Sequence, residues 1–193
     1  LWAIDESCNM TVWDVAVAPD DPQFVAVVTN DDDYYEPVDV WLSVNGGASW
    51  MHTDVPDEAT WDMPDDYDLY IGAIDISPAY AGGGGTTHDI AIGTRRPDDG
   101  NTVGEVWMLS YPLALVGWTP QAFEVDPDFP YDPDDNTYGA DVYAIEFSPS
   151  YPGDFCLAVV AGTADWGTDD DYDDNCYVCV GFHNTIANST DWN

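Results

Sequence analysis

The stretch Trp13-Asp14-Val15-Ala16-Val17-Ala18-Pro19 decides how the chain is read, because it returns twice in altered form. Residues 72–78 read GAIDISP and residues 143–149 read YAIEFSP. Val15, Ile74 and Ile145 correspond, as do Val17, Ile76 and Phe147, and each segment stops at a proline. Apolar residues at every second position mark a strand with one buried face. A second apolar run follows each copy: FVAVVT at 24–29, HDIAIGT at 88–94 and FCLAVVAGT at 155–163. After a polar or acidic loop comes a third: DVWLSV at 39–44, EVWMLS at 105–110 and CYVCVGF at 176–182. Nothing carries long helical periodicity. The pattern predicts an all-β fold of about three consecutive antiparallel units, each reading strand, turn, strand, loop, strand and Trp-bearing turn. As one domain, 1–193, it divides into a tail or leftover strand at 1–10 and units at 11–69, 70–140 and 141–193. A stand-alone β-sandwich is the alternative architecture.

Composition narrows the functional classes. With 193 residues the chain is long enough for one domain with a sizeable core. Its net charge is −36, from 38 acidic residues against two arginines. That balance argues against nucleic acid, whose phosphates are held by Lys and Arg, and against docking on an anionic membrane. Self-repulsion on this scale calls for a screen, either high salt or bound divalent cations. Acid-rich chains with few aromatics stay disordered, but nine Trp and twelve Tyr place this one among folded proteins. No apolar run is long enough to span a bilayer as a helix. The chain opens on Leu1 rather than Met, which fits a processed product or part of a longer chain.

The segment Ser43-Val44-Asn45-Gly46-Gly47-Ala48-Ser49-Trp50 follows the third strand of the first unit, where a hairpin turn is expected. Gly46-Gly47 supplies the positive φ angles of a tight turn, and Ser43 and Asn45 can bond its backbone. The corresponding turns of the other units end at Trp118 and Trp192. The segment fits the Asp-box pattern S-x-D-x-G-x-x-W with Asn45 in the Asp position. The wider repeat resembles Asp-box (BNR) β-propellers, and segments such as AIDISPAYAGGG are similar to repeats in large bacterial cell-surface propeller proteins. The resemblance implies three propeller-like blades and a structural role for Ser43, Asn45, Gly47 and Trp50 at the blade periphery. Propellers need four to eight blades to close, so three imply a piece of a larger propeller or a protomer completed by its neighbours. LWAIDES at 1–7 then resembles the last strand of a preceding blade.

Catalysis is not expected. A sialidase, the sharpest enzyme the resemblance offers, needs three separated arginines; Arg95 and Arg96 are adjacent and point to opposite sides of an extended segment. Among 38 acids a carboxylate pair at glycosidase spacing arises by chance, and Asp75 and Glu146 hold equivalent repeat positions, which reads as structural alternation. Trp61, Trp118 and Trp166 near loops could stack on sugars, but blade packing is the plainer reading. His52, His88 and His183 fall one per unit and look incidental. Gly82–Gly85 lacks the Lys and helix of a phosphate loop.

Calcium is the cation best matched to the acidic loops, since hard cations take clustered carboxylate and carbonyl oxygens. The candidates are Asp169, Asp170, Asp171, Asp173 and Asp174 first, then Asp31, Asp32 and Asp33, then Asp134 and Asp135; none has EF-hand spacing. Four cysteines, Cys8, Cys156, Cys176 and Cys179, are read as disulfide candidates, with Cys156 expected to bridge Cys176 or Cys179 and the connectivity left open. The sequons at Asn9 and Asn188 are candidate glycosylation sites. Together these features point to an extracellular or cell-surface location. The expected function is a non-catalytic structural subunit of a surface layer, sheath or filament, self-assembled through β-rich contacts and cation-bridged acidic loops. The alternatives are a carbohydrate- or protein-binding module of a larger secreted, receptor-like chain, and a sialidase-like glycosidase fragment.

Overall fold

A computed structural model describes residues 11–30, 37–56, 70–82, 85–95, 104–112, 117–121, 141–163 and 175–192. The fold is all-β, with three antiparallel sheets, none of which closes on itself. Sheet 1 runs in the order β1 (Val12–Val17), β2 (Val25–Asn30), β3 (Pro37–Ser43), β4 (Met51–His52). Sheet 2 holds β5 (Tyr70–Ile76), β7 (Gly85–Arg95), β8 (Val106–Tyr111) and β9 (Thr119–Pro120), and the short β6 (Tyr80–Gly82) pairs with β7. Sheet 3 is β10 (Asp141–Phe147), β11 (Cys156–Thr163), β12 (Asn175–Asn184), β13 (Ser189–Trp192). A single helical turn, α1 (Tyr151–Asp154), sits between β10 and β11.

The three repeated runs of each unit therefore pair as neighbouring strands. The fourth, edge strand of each sheet was not expected; it occupies the place read as a Trp-bearing turn. The repeat also extends to irregularities. Each first strand shifts register at the same place, between Val12 and Asp14, Ile71 and Ala73, and Val142 and Ala144. A bulge there bends the strand and increases its twist.

Two cores result, and both use sheet 2. In the first, Ala16, Ala26, Val28, Val40 and Leu42 of sheet 1 meet Ile74, Ile76, Ile90, Ile92 and Trp107 of sheet 2. In the second, Ala91, Val106 and Met108 of sheet 2 meet Val142, Ile145, Phe147, Leu157 and Val159 of sheet 3. Successive residues of β7 and β8 thus enter different cores, as the period of two requires. Sheet 2 is buried on both faces, which is why its strands read as nearly continuous apolar runs.

Close approach of sheets 2 and 3 depends on glycine. A Cβ at Gly93 would lie 2.1 Å from Val142 Cγ1 and 3.2 Å from Ile145 Cδ1, and one at Gly72 would lie 2.6 Å from the Val142 carbonyl oxygen. Neither neighbour can retreat without opening the second core. Gly93→Ala is therefore expected to lose about 1–3 kcal/mol by overpacking. Gly153→Ala, with nothing near its added Cβ, is the control that should change little, both read by urea denaturation.

Candidate functional site

The turn at residues 43–50 is closed by its own side chains. Ser43 Oγ donates to Asn45 Oδ1 at 2.9 Å and accepts from the backbone N–H of Gly47 at 2.8 Å. Asn45 Oδ1 also accepts the Ser49 N–H at 2.9 Å, while its Nδ2 donates to Ser49 Oγ at 2.8 Å. Gly46 and Gly47 have φ of 67° and 83°, the left-handed region that favours glycine. The Trp50 ring lies against Gly47, 3.4 Å from where a Cβ would be. The buried Ser43 hydroxyl is fully engaged in the turn, so its chemistry is that of a staple rather than of a nucleophile.

The other two tryptophans at this place act between sheets. Trp118 Nε1 donates to the Thr53 carbonyl at 3.2 Å, from sheet 2 to the end of sheet 1. Trp192 Nε1 donates to the Gln121 carbonyl at 3.0 Å, from sheet 3 to the end of sheet 2. Asn188 Nδ2 and Thr190 Oγ1 add bonds to Thr119 Oγ1 and Gln121 Oε1, at 2.9 and 2.8 Å. Asn188 Nδ2 is the atom a glycan would occupy, so a sugar there would compete with this contact between sheets. Asn9 lies outside the described residues.

Carboxyl groups serve the same purpose. Asp89 lies in sheet 2 and accepts from Tyr80 Oη at 2.9 Å, Ser110 Oγ at 2.5 Å and Tyr151 Oη, which reaches across from α1, at 2.7 Å. Burial, and then the charge of Asp89, push both phenols above the usual tyrosine range, which keeps them as proton donors. Asp75 Oδ2 accepts the Phe147 N–H of sheet 3 at 2.7 Å. Burial raises its pKa to about 6 against the pull of that N–H. The exposed Asp20 ties sheet 1 to sheet 2 at a different repeat position, accepting the Ala79 N–H at 3.1 Å through Oδ2.

The histidines and the described arginine are also structural in their contacts. His88 is buried, stacks on Phe24 with ring centroids 4.4 Å apart, and donates from Nδ1 to the Ser77 carbonyl at 2.9 Å. His52 bridges Asp39 and Asp54 at 2.9 and 3.0 Å. Its hydrogen bond to Asp39, and then the nearby charges, raise its pKa against partial burial. The third, His183, is buried and held below its ordinary pKa by that burial. Arg95 lies between Tyr70 and Tyr143, its guanidinium carbon 4.7 and 5.4 Å from the two ring centroids. A cation on two aromatic faces is an inter-sheet clamp. Arg96 is outside the described residues.

The expected disulfides are not made among the described cysteines. Cys156, Cys176 and Cys179 are free thiols. The register explains why: Cys156 lies opposite Phe182, Cys179 opposite Val159 and Cys176 opposite Gly162. Cys156 is therefore three rungs from Cys179 and on the other face, and six rungs from Cys176. Cys8 lies outside the described residues, as do Asp31, Asp32, Asp33, Asp134, Asp135, Asp169, Asp170, Asp171, Asp173 and Asp174, and Trp61 and Trp166. Among the described residues no three metal-ligating side chains cluster.

One feature escaped the sequence reading. Both outermost sheet faces expose apolar side chains: Val15 and Val17 on the edge strand β1 of sheet 1, beside a buried Val27, and Val178, Val180 and Phe182 on sheet 3. The signal was present in CYVCVGF, where apolar residues occupy both parities of the strand. No protein-family profile, curated protein or solved structure matches the chain.

Two consequences are measurable. Tyr151→Phe leaves the buried Asp89 one donor short and should cost about 1–3 kcal/mol, seen as a lower urea midpoint at unchanged slope. Asp75 has a folded pKa near 6, above its ordinary 3.8. Its contribution to stability is therefore full below about pH 4 and is lost as the pH rises through 6. Asp75→Asn, which still accepts the Phe147 N–H, should flatten the fall in melting temperature between pH 4 and 7.

Proposed function

We propose that the chain is a non-catalytic structural subunit of an extracellular assembly, a surface layer, sheath or filament. Its three sheets are read as consecutive blades of the Asp-box (BNR) β-propeller type, nearest in character to large bacterial cell-surface propeller proteins. The observation that carries this reading is the pair of open apolar faces on sheets 1 and 3. Contiguous apolar patches beyond roughly a few hundred Å² mark interaction surfaces. The polar groups give indirect support: Asp75, Asp89, His88 and Arg95 each hold one part of the fold against another.

Charge supplies the second element. Copies of a chain with net charge −36 repel one another unless cations intervene. The acidic loops around Asp31–Asp33, Asp134–Asp135 and Asp169–Asp174 are assigned to calcium, which offsets the repulsion and bridges neighbours. Electron microscopy of native material with and without a calcium chelator tests this. Ordered filaments or lattices that loosen on chelation are expected. Discrete single particles in both conditions would overturn the reading in favour of a binding module within a secreted, receptor-like protein.

A further inference from the structure

We infer that the two open faces are the two halves of one interface, and that a second copy of this chain occupies each: sheet 3 of one copy covers sheet 1 of the next, head to tail. The inference deepens the structural-subunit reading and rests on it for the screening of charge.

The repeat fixes which face corresponds to which. Each first hairpin is closed by the same bond, Ala18 N–H to Phe24 O, Ser77 N–H to Asp89 O and Ser148 N–H to Cys156 O, at 3.0, 2.9 and 2.9 Å. From there the rungs align. On one face run Val15–Val27–Trp41, Ile74–Ile92–Trp107 and Ile145–Val159–Cys179. On the other run Ala16–Ala26–Leu42, Asp75–Ala91–Met108 and Glu146–Ala158–Val180.

Inside the molecule one pairing rule is used twice. The second face of sheet 1 covers the first face of sheet 2, and the second face of sheet 2 covers the first face of sheet 3. What remains is a first face on sheet 1 and a second face on sheet 3. Exposure follows this arithmetic on sheet 3 and, on sheet 1, along the edge strand β1, since Val27 beside Val15 is buried. Val15 is 56% exposed, whereas its counterparts Ile74 and Ile145 are 7% and 6% exposed. Val178 is 71% exposed, whereas Val40 and Val106, at the same place, are both 0%. The leftover faces are thus the complementary halves of a contact the chain already makes, and the contact to a second copy continues that internal interface.

A polar tie goes with it at the contact of sheets 2 and 3, though not at that of sheets 1 and 2, where Ala16 holds the place of Asp75. Asp75 of sheet 2 accepts the backbone N–H of Phe147, on the first strand of sheet 3. Glu146 holds the place of Asp75 one sheet on, and Val17 holds the place of Phe147 on the first strand of sheet 1. The Val17 N–H points away from β2, because it is the next residue, Ala18, that donates to β2. Glu146 of one copy is positioned to accept the Val17 N–H of the next.

Two unlike faces make a heterologous contact, which either closes into a ring or propagates as a fibre. This yields a test that an isologous dimer would fail. The full chain is examined by sedimentation velocity in molar salt and in millimolar calcium, beside Val15→Lys and Val178→Lys. Wild type should associate, and each variant alone should be monomeric. An equimolar mixture should give a one-to-one dimer and nothing larger, because each variant keeps the face its partner needs. Val17→Ser and Phe182→Ser form a second pair should circular dichroism show either lysine variant unfolded. Association persisting in either variant, or no dimer in the mixture, would overturn the face pairing while leaving the structural-subunit reading intact. A wild-type chain monomeric in both solutions would overturn the two together.

Discussion

Burial of sheet 2 on both faces is the constraint on which the rest of the structure depends. Neither core exists without it: Ile90, Ile92 and Trp107 look one way, and Ala91, Val106 and Met108 the other. A strand buried on both sides cannot alternate polar and apolar residues, and it cannot keep bulk wherever a neighbouring backbone comes close. Gly93 and Gly72 answer the second demand, leaving room for Val142 and Ile145. Position in the stack, rather than strand propensity, sets which residues these strands carry.

Electrostatics inside the molecule follow from the shortage of cations. Among the described residues every ion pair involves a histidine. The buried Asp89 and the partly buried Asp75 are met by neutral donors: the hydroxyls of Tyr80, Ser110 and Tyr151 for Asp89, and a backbone N–H for Asp75. Such donors satisfy the oxygens without bringing a second charge into the interior. Arg95 is held on the faces of two tyrosines.

The strands were legible because each has enough residues to display a period. Val15 and Val17, Ile74 and Ile76, and Ile145 and Phe147 marked the first strand of every sheet, and the turn at Ser43–Trp50 announced itself through Gly46 and Gly47. The edge strands were not legible. Met51–His52 and Thr119–Pro120 are two residues each, too short for any period, and the second contains a proline. The cysteines were misread for a different reason. Strand parity in CYVCVGF already places Cys176 and Cys179 on opposite faces, but the place of Cys156 on the neighbouring strand suggested a bridge that only the register could refuse. Asp75 and Glu146 show the limit most clearly. They share a repeat position, yet one is partly buried and tied while the other is exposed, because only Asp75 has a following sheet to meet.

A stack whose contacts all run one way has a vector. Each sheet here offers its second face forward and receives on its first, so the molecule has a leading end and a trailing end that differ in chemistry. The end at sheet 1 shows Val15 and Val17, an N–H edge and the Asp39–His52 pair beside Trp41; the end at sheet 3 shows Glu146 among Ala158, Val178 and Val180. Anything built on such a vector can be capped at one end without touching the other, and a binder that recognises one end has no affinity, on these grounds, for its opposite.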